Sequence, residues 1–290
     1  MKLCVLDGSG YVHRAFHAIK PMVNVLGEPA NAIYGFTNLF LETLHRTDAT
    51  HVVCVFDKGR SAVRTAISES YKAHRQSHPD LQSQWPAIRT IPQVFGVAVI
   101  EEQDVEGDDL IANLARCGAM GGFEVEVVSQ DKDLLQLLVY AGTKLYDPVK
   151  KASLTAEDAI RKFGVVPSKI AHVQAFMGDP VDGYKGVPGI GQKTAAELIN
   201  TFGSVDGVLA NIDKVKGKAT RAALDLCRED AITSLRLALL YPDASKLLNG
   251  IVFDTLKRRP IDVAAVDDFI ASHGFQRGDH ALVPPAQAAA

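Results

Sequence analysis

Nine acidic residues occupy positions from which they could share one chemistry: Asp7, Asp57, Glu106, Asp108, Asp109, Asp131, Asp133, Asp179 and Asp182. Several follow short apolar runs of strand character. Lys2 to Leu6 (KLCVL) runs into Asp7, His51 to Phe56 (HVVCVF) into Asp57, and Glu124 to Val128 (EVEVV) stops just short of Asp131 and Asp133. Glu106 and Asp109 are three apart at a helix start and are expected to share a face; Asp131 and Asp133, two apart in extended chain, point the same way. Any one of these acids alone would read as a helix cap or a loop charge. Acids at the carboxyl ends of several strands of an open α/β sheet, however, converge on one crevice. Carboxylates crowded in this way raise one another's pKa, so hard cations must neutralise them, with Mg2+ the natural choice. Two such ions about 3.5 to 4 Å apart can activate a water and stabilise the leaving oxygen of a phosphoryl displacement. The chemistry expected of the set is phosphodiester hydrolysis.

Two further segments suit a polyanionic substrate. Lys58, Arg60, Arg64, Lys72 and Arg75 lie within eighteen residues that contain one acid, Glu69, and Tyr71 and His74 are interleaved among them. Basic side chains supply most sequence-independent affinity for nucleic acid, and an aromatic ring among them can stack on a base. The second segment, Gly186-Val187-Pro188-Gly189-Ile190-Gly191-Gln192-Lys193-Thr194, comes close to an ATP-binding P-loop. Gln192 stands between the last glycine and the lysine, so the spacing fails by one residue and a P-loop kinase is disfavoured. A tight hairpin opening a helix remains, of helix-hairpin-helix type, whose backbone N–H groups and helix N-terminus can take a phosphate.

The elements that must position these residues fall into two regions. Strand-like runs alternate with helical periodicity at Ala32 to His45, Leu110 to Cys117 and Leu134 to Val139, as in a mainly parallel sheet with helices on both faces. Asp7-Gly8-Ser9-Gly10 reads as a turn after the first strand. Residues 61–89 show no clean period and are expected to form a functional excursion outside the core. Beyond about Asp147-Pro148 helical segments take over, at Thr155 to Phe163, Ile170 to Met177, Lys193 to Phe202 and Arg221 to Leu240. The expected organisation is an α/β domain over 1–160, a helical DNA-binding region over 161–258, and a tail over 259–290 that is partly disordered.

Composition bounds the rest. The 290 residues are 47% hydrophobic and 22% charged, which excludes collagen-like, disordered and coiled-coil classes. No apolar run approaches the roughly 20 residues of a membrane helix, and the charged N-terminus is no secretory signal. Four scattered cysteines without a C-x-x-C pair suggest reduced core thiols and a cytosolic compartment. The net charge of −3 conceals a basic remainder: without the nine acids, the 34 Asp and Glu are outnumbered by the 31 Lys and Arg.

Ordered blocks of sequence resemble the 5′-nuclease (flap endonuclease) family, in particular the N-terminal 5′→3′ exonuclease domain of bacterial DNA polymerase I and stand-alone bacterial and phage relatives. The blocks are Leu6-Asp7-Gly8-Ser9 with Tyr11 to Ala18, Asn31 to Phe36, Val55-Phe56-Asp57, Arg64 with Tyr71 to Arg75, Val105 to Asp109, Asp131-Lys132-Asp133, and Met177-Gly178-Asp179 through Asp182 to Ala195. The resemblance implies a PIN-like fold with a helical arch near 61–89 and a helix-three-turn-helix. It implies that all nine acids hold two Mg2+ ions, which Mn2+ can replace, with Asp7 and Asp133 central to catalysis. Lys72 and Arg75 would act on the scissile phosphate. Arg64, Tyr71, Lys72 and Arg75 would contact DNA, as would Gly186, Val187, Gly189, Ile190, Gly191, Lys193 and Thr194 of the hairpin, where a K+ ion can also sit. The implied partners are DNA with 5′ flaps, nicks or 5′ ends, RNA–DNA primer junctions, and a DNA polymerase of the same pathway; a monomer in the cytoplasm, near the nucleoid, fits this role. Two departures bear on substrate preference. Gly107 replaces the usual alanine before the paired aspartates, and Pro180-Val181 and Gly183-Tyr184-Lys185 replace the usual residues around Asp182. The rival reading is a catalytically silent DNA-junction-binding protein of the same fold.

Overall fold

The computed structural model describes residues 1–74, 78–248, 250–277 and 282–283. Five strands, β1 (Lys2–Asp7), β2 (His51–Val55), β3 (Ala98–Ile100), β4 (Glu124–Val128) and β5 (Thr143–Asp147), are parallel, and β6 (Ala152–Leu154) runs antiparallel to β5. Their spatial order is β3-β2-β1-β4-β5-β6. Alternate residues of the central strands enter different apolar clusters. Leu3, Val5, Val53, Val55, Val125 and Val127 enter one, and Cys4, Leu6, Val52 and Cys54 the other. Apolar side chains on both faces are what a parallel sheet covered by helices requires.

The helices preceding β4 are α1 (Gly8–Ala18), α2 (Asn31–Arg46), α3 (Ala62–Ile67), α4 (Pro79–Val94) and α5 (Gly107–Met120). The second cluster takes Phe36 and Phe40 of α2 with Leu81, Ile88 and Ile91 of α4, and the first takes Leu110, Ile111 and Leu114 of α5. Downstream come α6 (Ala156–Phe163), α7 (Ile170–Met177), α8 (Gln192–Phe202), α9 (Val205–Ala210), α10 (Lys218–Leu226), α11 (Arg228–Ala238) and α12 (Val263–Ser272). Val173 and Phe176 of α7, Ile199 of α8 and Val208 of α9 belong to the same cluster as α5. One continuous core therefore runs from the sheet into the helical region.

Two expectations are corrected. The sequence Asp7-Gly8-Ser9-Gly10 is no loose turn, because α1 begins directly at Gly8 with Asp7 as its cap. A Cβ at Gly8 would lie 2.5 Å from the Phe56 ring and 2.7 Å from Cys54 Sγ, so only glycine lets the helix start this close to β2. Residues 79–89 are not outside the core. Pro79 opens α4 and Pro86 and Pro92 lie inside it, and these prolines mask a helical spacing of apolar residues at Leu81, Ile88 and Ile91. Buried Gln84 of this helix accepts from the N–H groups of Ala32 and Ile33, serving the first turn of α2, which lacks a side-chain cap of its own. Within the tail, α12 packs Val266 and Phe269 into the second cluster; the Pro/Ala end, 284–290, lies outside the described residues.

Candidate active site

Eight of the nine acids line a single cavity of about 540 Å3 at the carboxyl ends of β1, β2 and β4. Asp7, the last residue of β1, accepts at Oδ1 from the Gly10 N–H (2.7 Å) and at Oδ2 from Ser129 Oγ (2.7 Å). Asp57 accepts from the Gly107 N–H (2.7 Å), and its own N–H donates to Ser9 Oγ (2.8 Å). Gly107, the departure noted above, thus supplies a backbone donor and loses no side-chain ligand. Asp131 Oδ1 accepts from the Asp133 N–H (2.8 Å), and Asp133 accepts from Nε2 of Gln174.

Their electrostatics carry the mark of crowding. Burial, only partly offset by the Ser129 and Gly10 donors, pushes Asp7 up to about 6. Burial and then the Asp131 charge raise Asp133 to about 7, and the same two causes hold Asp108 well above the ordinary value. At Asp179 burial is outweighed by Lys132 Nζ, 2.8 Å from Oδ2, and by the N–H groups of Val181 and Asp182, so its pKa stays low. Among the described residues no three of these groups meet as a preformed metal cage. The donor set is nonetheless all carboxylate oxygen and short of positive charge, which fits hard divalent cations.

Asp109 is the exception. It is 1% exposed, Oδ1 accepts from Arg64 Nη2 (3.0 Å) and the Tyr241 N–H (2.8 Å), and Oδ2 accepts from Arg64 Nη1 (2.6 Å). The expected shared face with Glu106 fails because Glu106, at ψ 145°, is the extended cap before α5 and not part of the helix. Arg64 is also misplaced as a DNA contact. Its five N–H groups go to Asp109, to Glu106 Oε2 (2.9 Å), and to the carbonyls of Leu237 (3.0 Å) and Leu239 (2.7 Å), which leaves none for a phosphate.

Lys72 lines the cavity, with Nζ 3.0 Å from Glu106 Oε1 and 3.8 Å from Asp182 Oδ2. Its backbone adopts φ 50°, unusual for a side-chain-bearing residue, and its N–H donates to the Asp182 carbonyl (3.1 Å). Burial works against the Lys72 charge, but Glu106, Tyr71 and Asp182 outweigh it and its pKa is raised. Tyr71 is 4% exposed, with Oη 3.4 Å from Glu106 and 3.5 Å from Asp182, so it walls the cavity. Arg75 lies outside the described residues.

The glycine hairpin lies between α7 and α8. Val187 and Ile190, expected to touch DNA, bury their side chains and pin the hairpin, the Val187 N–H donating to the Phe176 carbonyl (2.8 Å). Gly186 is buried as well, its N–H reaching Ser234 Oγ (3.3 Å). Gly189, Gly191 and Lys193 are exposed, and Thr194 partly so, and Gly191, the residue before α8, caps it without a side chain. The surface offered outward is therefore backbone N–H plus Lys193.

Residues that the sequence reading missed complete the site: Ser9 and Ser129, which orient Asp57 and Asp7, Lys132 beside Asp179, and Gln174 against Asp133. Gln174 carried a signal, as a lone buried amide on the otherwise apolar face of α7. Such a group needs a polar partner.

An α/β sheet with an acidic cavity at its strand ends, continuous with a hairpin-bearing helical region, defines a class that comparison with known proteins makes specific. Residues 2–164 match the family described as "5'-3' exonuclease, N-terminal resolvase-like domain", and residues 165–263 match "5'-3' exonuclease, C-terminal SAM fold". The chain belongs to the 5'-3' exonuclease family. It is 38% identical over 242 residues to the 5'-3' exonuclease of Aquifex aeolicus, covering 83% of this chain and 82% of that one. With DNA polymerase I of Bacillus caldotenax it shares 37% identity over 250 residues, 84% of this chain but 28% of the polymerase, so it spans little more than a quarter of that relative's length. Among solved structures, T5 D15 protein co-crystallised with metal ions aligns with a TM-score of 0.72 at 18% identity, over 94% of this chain and all of that one. The catalytic core of Rad2 in complex with DNA substrate aligns at 0.62 and 14% identity, over 94% of this chain and 86% of that one. At these identities the two structures establish the shared fold. No described helix is long and apolar enough to cross a membrane.

Proposed function

We propose that the chain is a divalent-metal-dependent, structure-specific 5′ nuclease that hydrolyses DNA phosphodiesters near 5′ ends and flaps, RNA primer remnants included. The observation that carries this reading is the convergence of eight carboxylates and Lys72 on one cavity. Asp7, Asp57, Glu106, Asp108, Asp131, Asp133, Asp179 and Asp182 would hold two Mg2+ ions, with Mn2+ able to replace them. Bound ions of this kind supply an activated water and neutralise charge on the phosphate oxygens.

The chain's own groups do the remainder. Ser129, the Gly10 N–H and the Gly107 N–H fix the orientation of Asp7 and Asp57, so these carboxylates need no reorganisation on loading. The Lys72 ammonium, paired with Glu106 at the cavity, would meet charge developing on a phosphate oxygen; Arg75 would share this role. The exposed backbone of the hairpin with Lys193 would grip duplex phosphate without reading bases, with a K+ ion at the same place. The partners proposed are 5′-flapped, nicked or primer-bearing DNA and a polymerase working on the same junction, with the protein a monomer acting at the nucleoid.

A 5′-labelled flap duplex incubated with Mg2+ or with EDTA tests this reading. Release of a short 5′ product in Mg2+ alone, lost in Asp133→Ala while duplex binding persists, is the expected outcome. Tight junction binding by the wild type with no product in Mg2+ or Mn2+ would leave the silent binding protein instead.

A further inference from the structure

Beside the carboxylate cavity lies another of about 470 Å3, which shares Asp7, Gly10, Asp131 and Lys132 with it but includes none of Lys72, Glu106 or Asp182. Its remaining wall is the neutral Tyr11 and Gln130 with two cations, Arg14 from α1 and Lys162 from the last turn of α6. Lys132 is paired with Asp179 at 2.8 Å. Among the described residues Arg14 pairs with no carboxylate, and its Nη1 donates to the neutral Oε1 of Gln130 (2.8 Å). Lys162 lies 5.8 Å from the Phe163 ring and, among the described residues, forms no ion pair. Burial, Lys150 and Lys132 together hold Lys162 below the usual lysine value, as expected of a cation crowded by cations. The acids that border this cavity accept hydrogen bonds, Asp7 from Gly10 and Ser129 and Asp131 Oδ1 from the Asp133 N–H, and keep their charge for cations.

The backbone places Lys162 at a junction. Its carbonyl accepts from Nε2 of Gln192, the first residue of α8, directly after Gly191 of the hairpin. It also lines the same cavity as Asp7 and Asp131. One residue thus bonds to the hairpin helix and lines the cavity beside the acidic cleft.

We propose that Arg14 and Lys162 form a phosphate subsite that holds one backbone phosphate of the duplex between the cleavage cavity and the hairpin. The proposal rests on the nuclease reading above. Arg14 offers a planar donor fork and Lys162 a mobile point charge, a pair suited to the two non-bridging oxygens of a phosphodiester. Holding that phosphate fixes the length of strand between the anchored duplex and the bond that reaches the carboxylates, so the subsite acts on register as well as affinity.

The test compares wild type, Lys162→Ala and Lys162→Arg. Binding of a 5′-flap duplex is measured in Ca2+ from about 50 to 200 mM KCl, and again with single phosphates replaced by neutral methylphosphonates along both strands. Lys162→Ala is expected to bind about five- to tenfold more weakly and to flatten the salt slope by about one, while Lys162→Arg keeps most of both. One methylphosphonate position is expected to weaken the wild type yet add little in Lys162→Ala, the signature of a shared contact. Lys162 is exposed, so the variant folds, and a matching melting curve checks this. Methylphosphonate effects identical in wild type and Lys162→Ala, or an unchanged salt slope, would overturn the subsite alone. Failure of the wild type to cleave in Mg2+ would overturn the nuclease reading, a separate result.

Discussion

Asp108 and Asp109 are neighbours in sequence and opposites in role. Asp108 faces the open cavity, where burial and Asp131 disfavour its charge and Lys72 opposes them only in part. Asp109 points beneath the cavity into Arg64, with both oxygens occupied and no access to solvent. The same carboxylate is a free ligand on one side of the α5 start and a structural tie on the other. What separates them is whether the surrounding donors saturate the group: Asp108 is half-buried at the cavity wall, whereas Asp109 is enclosed with both oxygens hydrogen-bonded. The lower region joins α3, the cap of α5 and the end of α11 through one guanidinium, and so holds the floor on which the upper region is built.

That contrast breaks most visibly at Arg64. Arg64→Ala leaves Asp109 and Glu106 buried against each other, and removing one partner of a buried pair costs about 3 to 5 kcal/mol. Thermal or urea unfolding should show this loss, and Asp109→Asn should lie in the same direction. Asp108→Asn should instead leave the protein as stable or more so, while Mg2+-dependent cleavage collapses. If Asp109→Asn spared stability and removed cleavage, the division drawn between the two aspartates would be wrong.

Next in size is Lys72. Lys72→Ala should lower the cleavage rate about 10²- to 10³-fold, the effect of removing one group aimed at developing charge, with little change in duplex affinity at saturating metal. Single-turnover rates on a 5′-flap substrate decide this. An affinity loss matching the rate loss would make Lys72 a binding contact and no more.

The pH response follows from the cavity's uncompensated charge. Asp7 and Asp133 have folded values near 6 and 7, above the ordinary carboxylate range. For such acids the stability present at low pH is lost as pH rises through the folded pKa, because ionisation then occurs in a buried site. The metal-free protein should therefore melt lower at pH 8 than at pH 5, and Mg2+ should raise the melting temperature more at pH 8. Asp133→Asn should shrink this difference. Equal Mg2+ stabilisation at both pH values would place the cations somewhere other than these carboxylates.

The two regions were not equally legible in the sequence. The strands β1, β2 and β4 and the acids after them were readable because apolar runs ending at carboxylates are a local signal, and parallel topology then brings them together without further information. The α4 helix was hidden by its prolines, although Leu81, Ile88 and Ile91 keep helical spacing. The Arg64–Asp109 tie had no local signal at all. Its partners are 45 residues apart, and the backbone groups that complete it, at Leu237, Leu239 and Tyr241, lie more than a hundred residues further on. A basic residue in a basic segment reads as a surface charge until tertiary structure encloses it. Val187 and Ile190 show the converse: the hairpin motif was legible, but which of its residues face outward depends on the helix behind it.

The smallest predicted effect sharpens the comparison where the departures from the usual sequence lie. Gly183 has φ 81°, and a Cβ there would sit 3.2 Å from the Ser70 carbonyl and 3.7 Å from the Lys72 nitrogen. The preceding residue, Asp182, accepts the Lys72 N–H, and Tyr184 packs with Tyr71 in one small apolar cluster. The 179–185 loop of the helical region thus grips the base of the segment that carries Lys72, and the left-handed turn at Gly183 is what permits the close approach. Gly183→Ala should cost about 1 to 2 kcal/mol of stability, with a rate loss smaller than that of Lys72→Ala. In the double variant the two rate losses should not add, because a misplaced ammonium and an absent one remove the same interaction. Additive losses would show that the loop acts on cleavage by a route that does not pass through Lys72.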